Sequence, residues 1–183
     1  MLILASASPR RRELLGYIHP NFKVIATDSD ESLPPDMPPD EGVRTLALRK
    51  ARAVAATHPE AVIIGADTMV ALDGAIFGKP EDAAGAARML RALSGREHFV
   101  YTGVAILSPR GQCVFHGETS VRFIELSDED IREYISTGEP MDKAGAYGIQ
   151  GNGALFVSGI CGDFYNVMGL PVCRLAQELR GLI

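Results

Sequence analysis

Hydrophobic residues along the chain occur in two kinds of pattern, short continuous runs and helical spacing. Residues 2–5 and 61–66 are apolar throughout, which is typical of strands buried on both faces of a sheet. Residues 41–57 and 83–93 instead carry apolar side chains every three or four positions, which predicts amphipathic helices. The pattern therefore predicts both strands and helices along the chain.

The other elements are predicted from turn residues and from the period of the pattern. The predicted strands are 22–26, a hairpin of 69–72 and 75–77 that turns at Asp73-Gly74, and 99–107, 112–116 and 119–126. A helix is predicted to begin at Ser127, and the last helix to cover 172–182. The acidic, proline-rich segment 28–40 is predicted to be a long loop. The strands after residue 99 suggest an antiparallel portion of the sheet.

The first strand is followed directly by a tight turn and a basic helix. Ser8 is predicted to be the N-cap, Pro9 the first helical residue, and Gly16 the end of the helix. Free amides and the positive end of the helix dipole favour an anion there, beside the three arginines at 10–12. Since consecutive helical residues are about 100° apart, only one or two of these arginines can face one ligand. A solvated basic turn is the alternative.

Two further charged residues lie where side chains are expected to point inward. Lys50 falls at the centre of the apolar face of helix 41–57, which is formed by Val43, Leu46, Ala47, Val54 and Thr57. Either Lys50 buries its stem while the ammonium reaches solvent, or this face of the helix borders an anion site. Asp67 directly follows the apolar run 61–66, and it is either a cap or a group directed into a cleft at the carboxyl end of a strand.

Composition limits the class of protein. The 183 residues are 46% hydrophobic and 22% charged, which is typical of a globular chain with a real core. The net charge of −5 disfavours a general nucleic-acid or anionic-membrane surface. Three separated cysteines form no disulfide framework or zinc motif. No secretory signal or membrane-spanning run is recognised, so we expect a cytoplasmic protein.

The scattered charged residues together suggest one kind of chemistry. The basic helix start, Lys50 and Lys79, with the acids Glu31 and Asp67, resemble the parts of a phosphate site that holds a divalent cation. P-loop and Rossmann glycine patterns are absent, so neither standard nucleotide cradle applies. The four histidines have no metal-ligand spacing, and their spacing supports no nucleophilic triad.

Several segments resemble one known family. They are Leu4-Ala5-Ser6-Ala7-Ser8-Pro9-Arg10-Arg11, Ile64-Gly65-Ala66-Asp67-Thr68-Met69-Val70, Gly78-Lys79-Pro80, Leu93-Ser94-Gly95, Asp142-Lys143-Ala144-Gly145-Ala146-Tyr147-Gly148-Ile149-Gln150-Gly151 and Val167-Met168-Gly169-Leu170-Pro171. In order and spacing they resemble the Maf family of nucleoside triphosphate pyrophosphatases, over residues 2–171. The resemblance implies one Maf-like domain, 1–183, with a mixed, elongated α/β sheet flanked by helices. It also implies two lobes around a cleft, in the manner of inosine triphosphate pyrophosphatases.

The resemblance also implies a reaction and a set of site residues. Asp67 matches the proton acceptor, and the positions that match the phosphate and metal cleft are Ser8, Arg11, Glu31, Lys50 and Lys79. Arg10, Thr68 and Gln150 match positions associated with base choice. A divalent cation, Mg²⁺ or Mn²⁺, is expected on Glu31 and Asp67. The segment around Gln150 resembles the branch that prefers dTTP and UTP to 7-methyl-GTP.

The expected activity is therefore hydrolysis of dTTP and UTP, or of modified pyrimidine triphosphates, to the monophosphate and pyrophosphate. A nucleotide-binding regulator of cell division without significant turnover is the alternative from another class. A small-molecule substrate is expected rather than nucleic acid or membrane, and the resemblance suggests a homodimer.

Overall fold

A computed structural model describes all residues, 1–183. The strands are β1 (Leu2–Ala5), β2 (Lys23–Val24), β3 (Val62–Leu72), β4 (Ala75–Phe77), β5 (Glu97–Ser108), β6 (Gly111–Phe123) and β7 (Val157–Cys161). The helices are α1 (Pro9–Ile18), α2 (Pro39–Ala55), α3 (Ala83–Leu93), α4 (Asp128–Ser136), α5 (Phe164–Met168) and α6 (Val172–Leu179). Short 3-10 turns occupy much of residues 139–156. None of the helices has the length and hydropathy that a membrane crossing requires.

The strands form one mixed, seven-stranded sheet. Its order is β2-β1-β3-β5-β6-β7, with β4 paired to β3. Strand β1 is parallel to both β2 and β3, whereas β3–β4 and β6–β7 are antiparallel. This arrangement confirms the predicted mixed α/β fold with an antiparallel portion. The chain forms two compact units, unit 1 (Met1–Thr68, Tyr101–Gly117 and Tyr165–Ile183) and unit 2 (Met69–Val100 and Glu118–Phe164).

The core of unit 1 is built where α2 packs onto the sheet. Small and aliphatic residues of β1, α2, β3 and β5 form this cluster, namely Ile3, Ala5, Ala47, Ala51, Val54, Ala61, Ile63 and Ala105. Gly65 of β3 and Gly103 of β5 face the helix so closely that a Cβ on either would lie 2.2 Å from the carbonyl oxygen of Ala47 or Val43. The helix backbone therefore rests directly on the two strands.

Several boundaries differ from the sequence-based prediction. Helix α1 continues through Gly16 to Ile18, because this exposed glycine has no neighbour that forces a turn. Strand β3 does not stop at residue 66, so Asp67 and Thr68 lie inside a continuous strand. The predicted strands 112–116 and 119–126 are one strand, β6, which passes Asn166 at Gly117, where a Cβ would lie 2.5 Å from the Asn166 side chain. Thr57 lies beyond the end of α2 and is exposed.

Unit 2 contains an aromatic cluster around a buried histidine. His98 is fully buried, and its ring packs edge-on against Phe123 and Tyr147 at centroid distances of 4.9 and 5.3 Å. Its Nε2 lies 2.7 Å from the Tyr147 hydroxyl, and its Nδ1 is buried without a hydrogen-bond partner. Burial lowers the pKa of His98 from 6.5 to about 4, so the imidazole is neutral in the folded protein near pH 7.

Replacing Gly65 with alanine should displace α2 from the sheet. The added Cβ would overlap the Ala47 carbonyl. Because the atoms it meets are backbone atoms, no side-chain rotation can relieve the clash. We expect a loss of about 1–3 kcal/mol in the free energy of unfolding, measured by urea denaturation. Gly16→Ala is the matched control, because nothing lies near that Cβ and alanine favours the helix. Equal stability of Gly65→Ala and wild type would contradict the close packing.

The buried His98 should make stability fall in mild acid. Its pKa in the folded state lies below the unfolded value, so the unfolded chain binds the proton more readily. Above pH 6.5 the histidine is neutral in both states and does not lower the free energy of unfolding. As the pH falls from 6.5 toward about 4, the unfolded chain takes up a proton that the folded protein excludes, so the free energy of unfolding decreases. We expect the free energy of unfolding to decrease over this pH window by about 3 kcal/mol less in His98→Phe than in wild type, measured by urea unfolding at several pH values. Parallel pH profiles would show that His98 does not carry the effect.

Candidate active site

A lysine between two carboxylates is the centre of the candidate site, and all three residues belong to unit 1. The Lys50 Nζ donates to Asp67 Oδ1 at 2.5 Å and lies 2.7 Å from Glu31 Oε1. The side chains of Lys50 and Asp67 are only 12% and 13% exposed, whereas that of Glu31 is 63% exposed. The ammonium therefore ends in an ion-pair cluster with two carboxylates.

The fold holds the two buried partners rigidly and the third loosely. Lys50 lies on α2 and Asp67 on β3, and the packing at Gly65 fixes the distance between these elements. Glu31 comes from the long loop before α2, as predicted, and it reaches the lysine from solvent. Two carboxylates and one ammonium thus converge on a point that is open on the Glu31 side.

The donor set of this cluster fits a hard divalent cation. Mg²⁺ in phosphate-handling sites commonly takes one or two protein carboxylates and completes its shell with phosphate oxygens and water. Glu31 and Asp67 supply two carboxylates that lie close enough to share the Lys50 ammonium. No group of three or more His, Cys, Asp or Glu side chains is arranged as a metal cage in the structure.

Arg11 forms a clamp inside unit 1. Its Nε donates to the Gly169 carbonyl at 2.8 Å, and its Nη1 donates to the Ala66 carbonyl at 2.8 Å and to Ser6 Oγ at 3.3 Å. Its Nη2 donates to Thr68 Oγ1 at 2.9 Å. Burial lowers the pKa of Arg11, and the negative charge of Asp67 counteracts this effect. These four hydrogen bonds leave one of the five guanidinium N–H groups for a ligand.

The hydroxyl of Thr68 belongs to a directed chain of hydrogen bonds. Thr102 Oγ1 donates to the Asn166 carbonyl at 2.9 Å, and it lies 2.9 Å from Thr68 Oγ1. Since Thr102 has only one hydroxyl proton, Thr68 must be the donor between the two threonines. Thr68 also accepts from Arg11, so one lone pair remains for any further partner.

The three arginines of α1 diverge, as their spacing predicts. Arg11 points inward, Arg10 is half-buried, and Arg12 is exposed on the wall of a surface depression of about 490 Å³. Ser8 also lines this depression, and as the predicted N-cap it accepts the Arg11 backbone N–H. Ser8 therefore caps one amide of the helix start, and the three arginines lie in different surroundings.

Lys79 and Gln150 belong to unit 2, and both are exposed. Lys79 follows Gly78, whose carbonyl accepts the backbone N–H of Gly145 at 3.0 Å. Within unit 2 this bond joins the Gly78-Lys79-Pro80 turn to the glycine-rich segment that leads to Gln150. Gln150 itself precedes a 3-10 turn that begins at Gly151.

The structure thus brings together Glu31, Lys50 and Asp67, and separately Arg11 and Thr68. Three groups that complete the Arg11 and Thr68 network were not predicted from the sequence, namely Thr102, Ser6 and the Gly169 carbonyl. Thr102 is a fully buried hydroxyl within a predicted strand, and such a group needs a partner, which is the one signal that could have identified it. Backbone acceptors such as Gly169 leave no signal in a sequence.

Comparison with solved structures agrees with this fold. The Ham1 protein of Staphylococcus aureus aligns with a TM-score of 0.50 and 17% identity, covering 67% of this chain and 71% of that one. At this identity the likeness concerns the fold alone.

The chain belongs to the family described as Maf-like protein, whose model matches residues 1–182. This confirms the family resemblance. A protein of Geobacillus sp. (strain WCH70) named dTTP/UTP pyrophosphatase is 53% identical over 99% of this chain and 97% of its own length. A protein of Moorella thermoacetica with the same name is also 53% identical, over 97% of this chain and 93% of its own length.

Arg11→Lys should destabilise unit 1 as well as change any ligand contact. A lysine ammonium cannot reproduce the planar fork, so at least one of the carbonyls of Ala66 and Gly169 would lose its donor. We expect a loss of roughly 2–4 kcal/mol in the free energy of unfolding, measured by urea denaturation. Arg12→Lys, on the same helix but exposed, should unfold at nearly the wild-type urea concentration. An Arg11→Lys protein as stable as wild type would contradict the clamp.

Proposed function

We propose that this chain hydrolyses dTTP and UTP to the monophosphate and pyrophosphate. The observation that carries the proposal is the Lys50 ammonium held between the carboxylates of Asp67 and Glu31. Membership of the Maf-like family and the shared name of the relatives support the pyrimidine triphosphates as substrates. These names also support an enzyme over a regulator of cell division that binds nucleotide without turnover.

Hydrolysis of a phosphoanhydride needs positioning and charge neutralisation more than covalent help from the protein. In the proposed reaction a water attacks the α-phosphorus, and the bond to the bridging oxygen of the β-phosphate breaks. Asp67 accepts the proton of that water, and pyrophosphate leaves with the bond electrons. The positive charges of Lys50 and Lys79, and the remaining N–H of Arg11, stabilise the charge that develops on the leaving group.

Glu31 and Asp67 would hold the divalent cation, Mg²⁺ or Mn²⁺, that we expect this chemistry to require. When bound, such a cation supplies neutralisation of phosphate oxygens. The Lys50 ammonium pairs with both carboxylates and so keeps them close together. Ser8 and the helix start behind it are proposed to contact the phosphates.

Base choice is proposed to depend on Arg10, Thr68 and Gln150. Because the Thr68 proton is committed to Thr102, Thr68 can only accept a hydrogen bond from a substrate. Uracil and thymine carry an N–H donor on the pairing edge at a position where cytosine has an acceptor. Gln150 offers both a donor and an acceptor, which suits the mixed edge of these bases.

The proposed partner is thus a small nucleotide rather than nucleic acid or a membrane. We also expect the protein to act as a homodimer in the cytoplasm.

Asp67→Asn should remove most of the turnover. The substitution keeps the shape but removes the charge that pairs with Lys50 and the group that accepts the proton. We expect kcat for dTTP and UTP to fall by about 100-fold or more, measured as pyrophosphate release with Mg²⁺ or Mn²⁺. Asp128→Asn is the matched control and should retain full activity, because Asp128 is an exposed carboxylate at the start of α4 that pairs with Arg91 of α3.

Two outcomes would contradict the proposal. Wild-type turnover by Asp67→Asn would exclude Asp67 as the proton acceptor. Wild-type protein that binds dTTP or UTP but releases no pyrophosphate with either metal would instead favour the regulator.

A further inference from the structure

The Glu139 carboxylate in unit 2 collects three hydrogen bonds. The Tyr134 hydroxyl donates to Oε1 at 3.1 Å, the backbone N–H of Asn152 to Oε2 at 3.1 Å, and the backbone N–H of Gly153 to Oε1 at 3.4 Å. Both carboxylate oxygens are therefore used. None of the roles proposed above involves Glu139.

These bonds hold both ends of the turn that carries Gln150. The Tyr134 hydroxyl, which donates to Glu139, also accepts the backbone N–H of Gly148 at 3.1 Å. Burial raises the pKa of Tyr134, so its hydroxyl stays protonated and remains a donor. The turn from Gly148 to Gly153 is thus tied at its first residue through Tyr134 and at its last two residues through Glu139.

The packing around the carboxylate is close enough to define one backbone path. Gly151 has a positive φ of 69°, and a Cβ there would lie 2.8 Å from Glu139 Oε2. A Cβ on Gly153 would lie 2.2 Å from the Gly148 carbonyl and 2.8 Å from the Tyr134 hydroxyl. The two glycines therefore let the backbone reach the carboxylate.

Glu139 is itself anchored by two residues that precede the turn in the chain, Thr137 and Lys143. Its backbone N–H donates to Thr137 Oγ1 at 3.1 Å, and its carbonyl accepts from Lys143 Nζ at 2.5 Å. The backbone of Glu139 is thus held independently of the turn's own hydrogen bonds, while Gln150 stays exposed.

We propose that Glu139 is a positioning residue for base selectivity, which fixes the Gly148–Gly153 turn so that the Gln150 amide meets the pyrimidine edge. The proposal rests on the proposed function for the identity of the substrate. Glu139 acts through Gln150 and does not contact the nucleotide itself.

The charge and both oxygens of Glu139 are needed for this role. A carboxylate accepts on both oxygens, and hydrogen bonds to a charged acceptor are stronger than neutral ones. A glutamine in its place would direct an NH₂ group at one of the three donors, so at least one hydrogen bond would be replaced by two opposed donors.

The experiment compares Glu139→Gln, Gln150→Ala and the double variant. For each protein the ratio of kcat/KM for UTP to that for CTP is measured, together with thermal unfolding. We expect Glu139→Gln to lower this ratio by roughly 3- to 10-fold, mainly by raising KM for UTP. A change of this size corresponds to the loss of one positioned hydrogen bond to the substrate. In the Gln150→Ala background the same change should leave the ratio unaltered, because Glu139 acts through Gln150.

Matched variants separate this role from a general loss of structure. Glu133→Gln changes an exposed glutamate of α4 and should leave the ratio unchanged. Tyr134→Phe keeps the ring but removes the link to Gly148, so it should lower the ratio in the same direction as Glu139→Gln. It also replaces Glu139→Gln in the comparison if that protein does not fold.

Amide hydrogen exchange gives a readout that does not depend on turnover. The backbone N–H groups of Asn152 and Gly153 should exchange faster in Glu139→Gln than in wild type. Unchanged exchange, an unchanged UTP-to-CTP ratio, or an equal effect of Glu139→Gln with and without Gln150 would each overturn the proposal. If wild type releases no pyrophosphate, the proposed function fails, and the ratio of UTP to CTP dissociation constants is compared instead. An unchanged ratio of these constants would then overturn the role of Glu139.

Discussion

The contact between α2 and the sheet is the constraint on which the candidate site depends. Gly65 and Gly103 allow the backbone of the helix to rest directly on two strands, because the space between them is too small for a side chain. This contact brings Lys50 on the helix to Asp67 on the strand. The small alanine side chains of the same interface let the helix and the sheet approach closely. The position of the lysine is thus set by backbone packing rather than by the ion pair alone.

The ion pair in turn explains why two acids can lie side by side before any substrate binds. Carboxylates that share a small site repel one another, and burial adds a desolvation penalty to each charge. The Lys50 ammonium offsets both effects for Asp67, while Glu31 keeps much of its hydration. Because Glu31 is exposed, its share of the pair is weak. The cluster is therefore buried on the Asp67 side and open to solvent on the Glu31 side.

Much of the fold could be predicted from the sequence, because local patterns decide most of it. The run 2–5, the Ser8 cap, the Asp73-Gly74 hairpin and the helix at 83–93 all carry their own signals. Strand β7 and helix α5 were not predicted, since both lie in a glycine-rich region where tertiary packing decides the backbone path. Asp67 was expected to follow the end of a strand. The strand instead continues past it, because within the strand the aspartate side chain can point toward Lys50 and pair with it.

The candidate residues could be predicted more completely than their partners. The side chains of Arg11 and Thr68 were identified, yet what limits their chemistry is a set of acceptors that spacing does not reveal. Once the Asn166 carbonyl takes the Thr102 proton, Thr102 must accept from Thr68, and Thr68 can only accept from a ligand. The direction of one buried hydrogen bond is thereby carried through two hydroxyls to the surface of unit 1. Any further hydrogen bond at this threonine is therefore one that it accepts, and that direction is determined by the backbone carbonyl of Asn166.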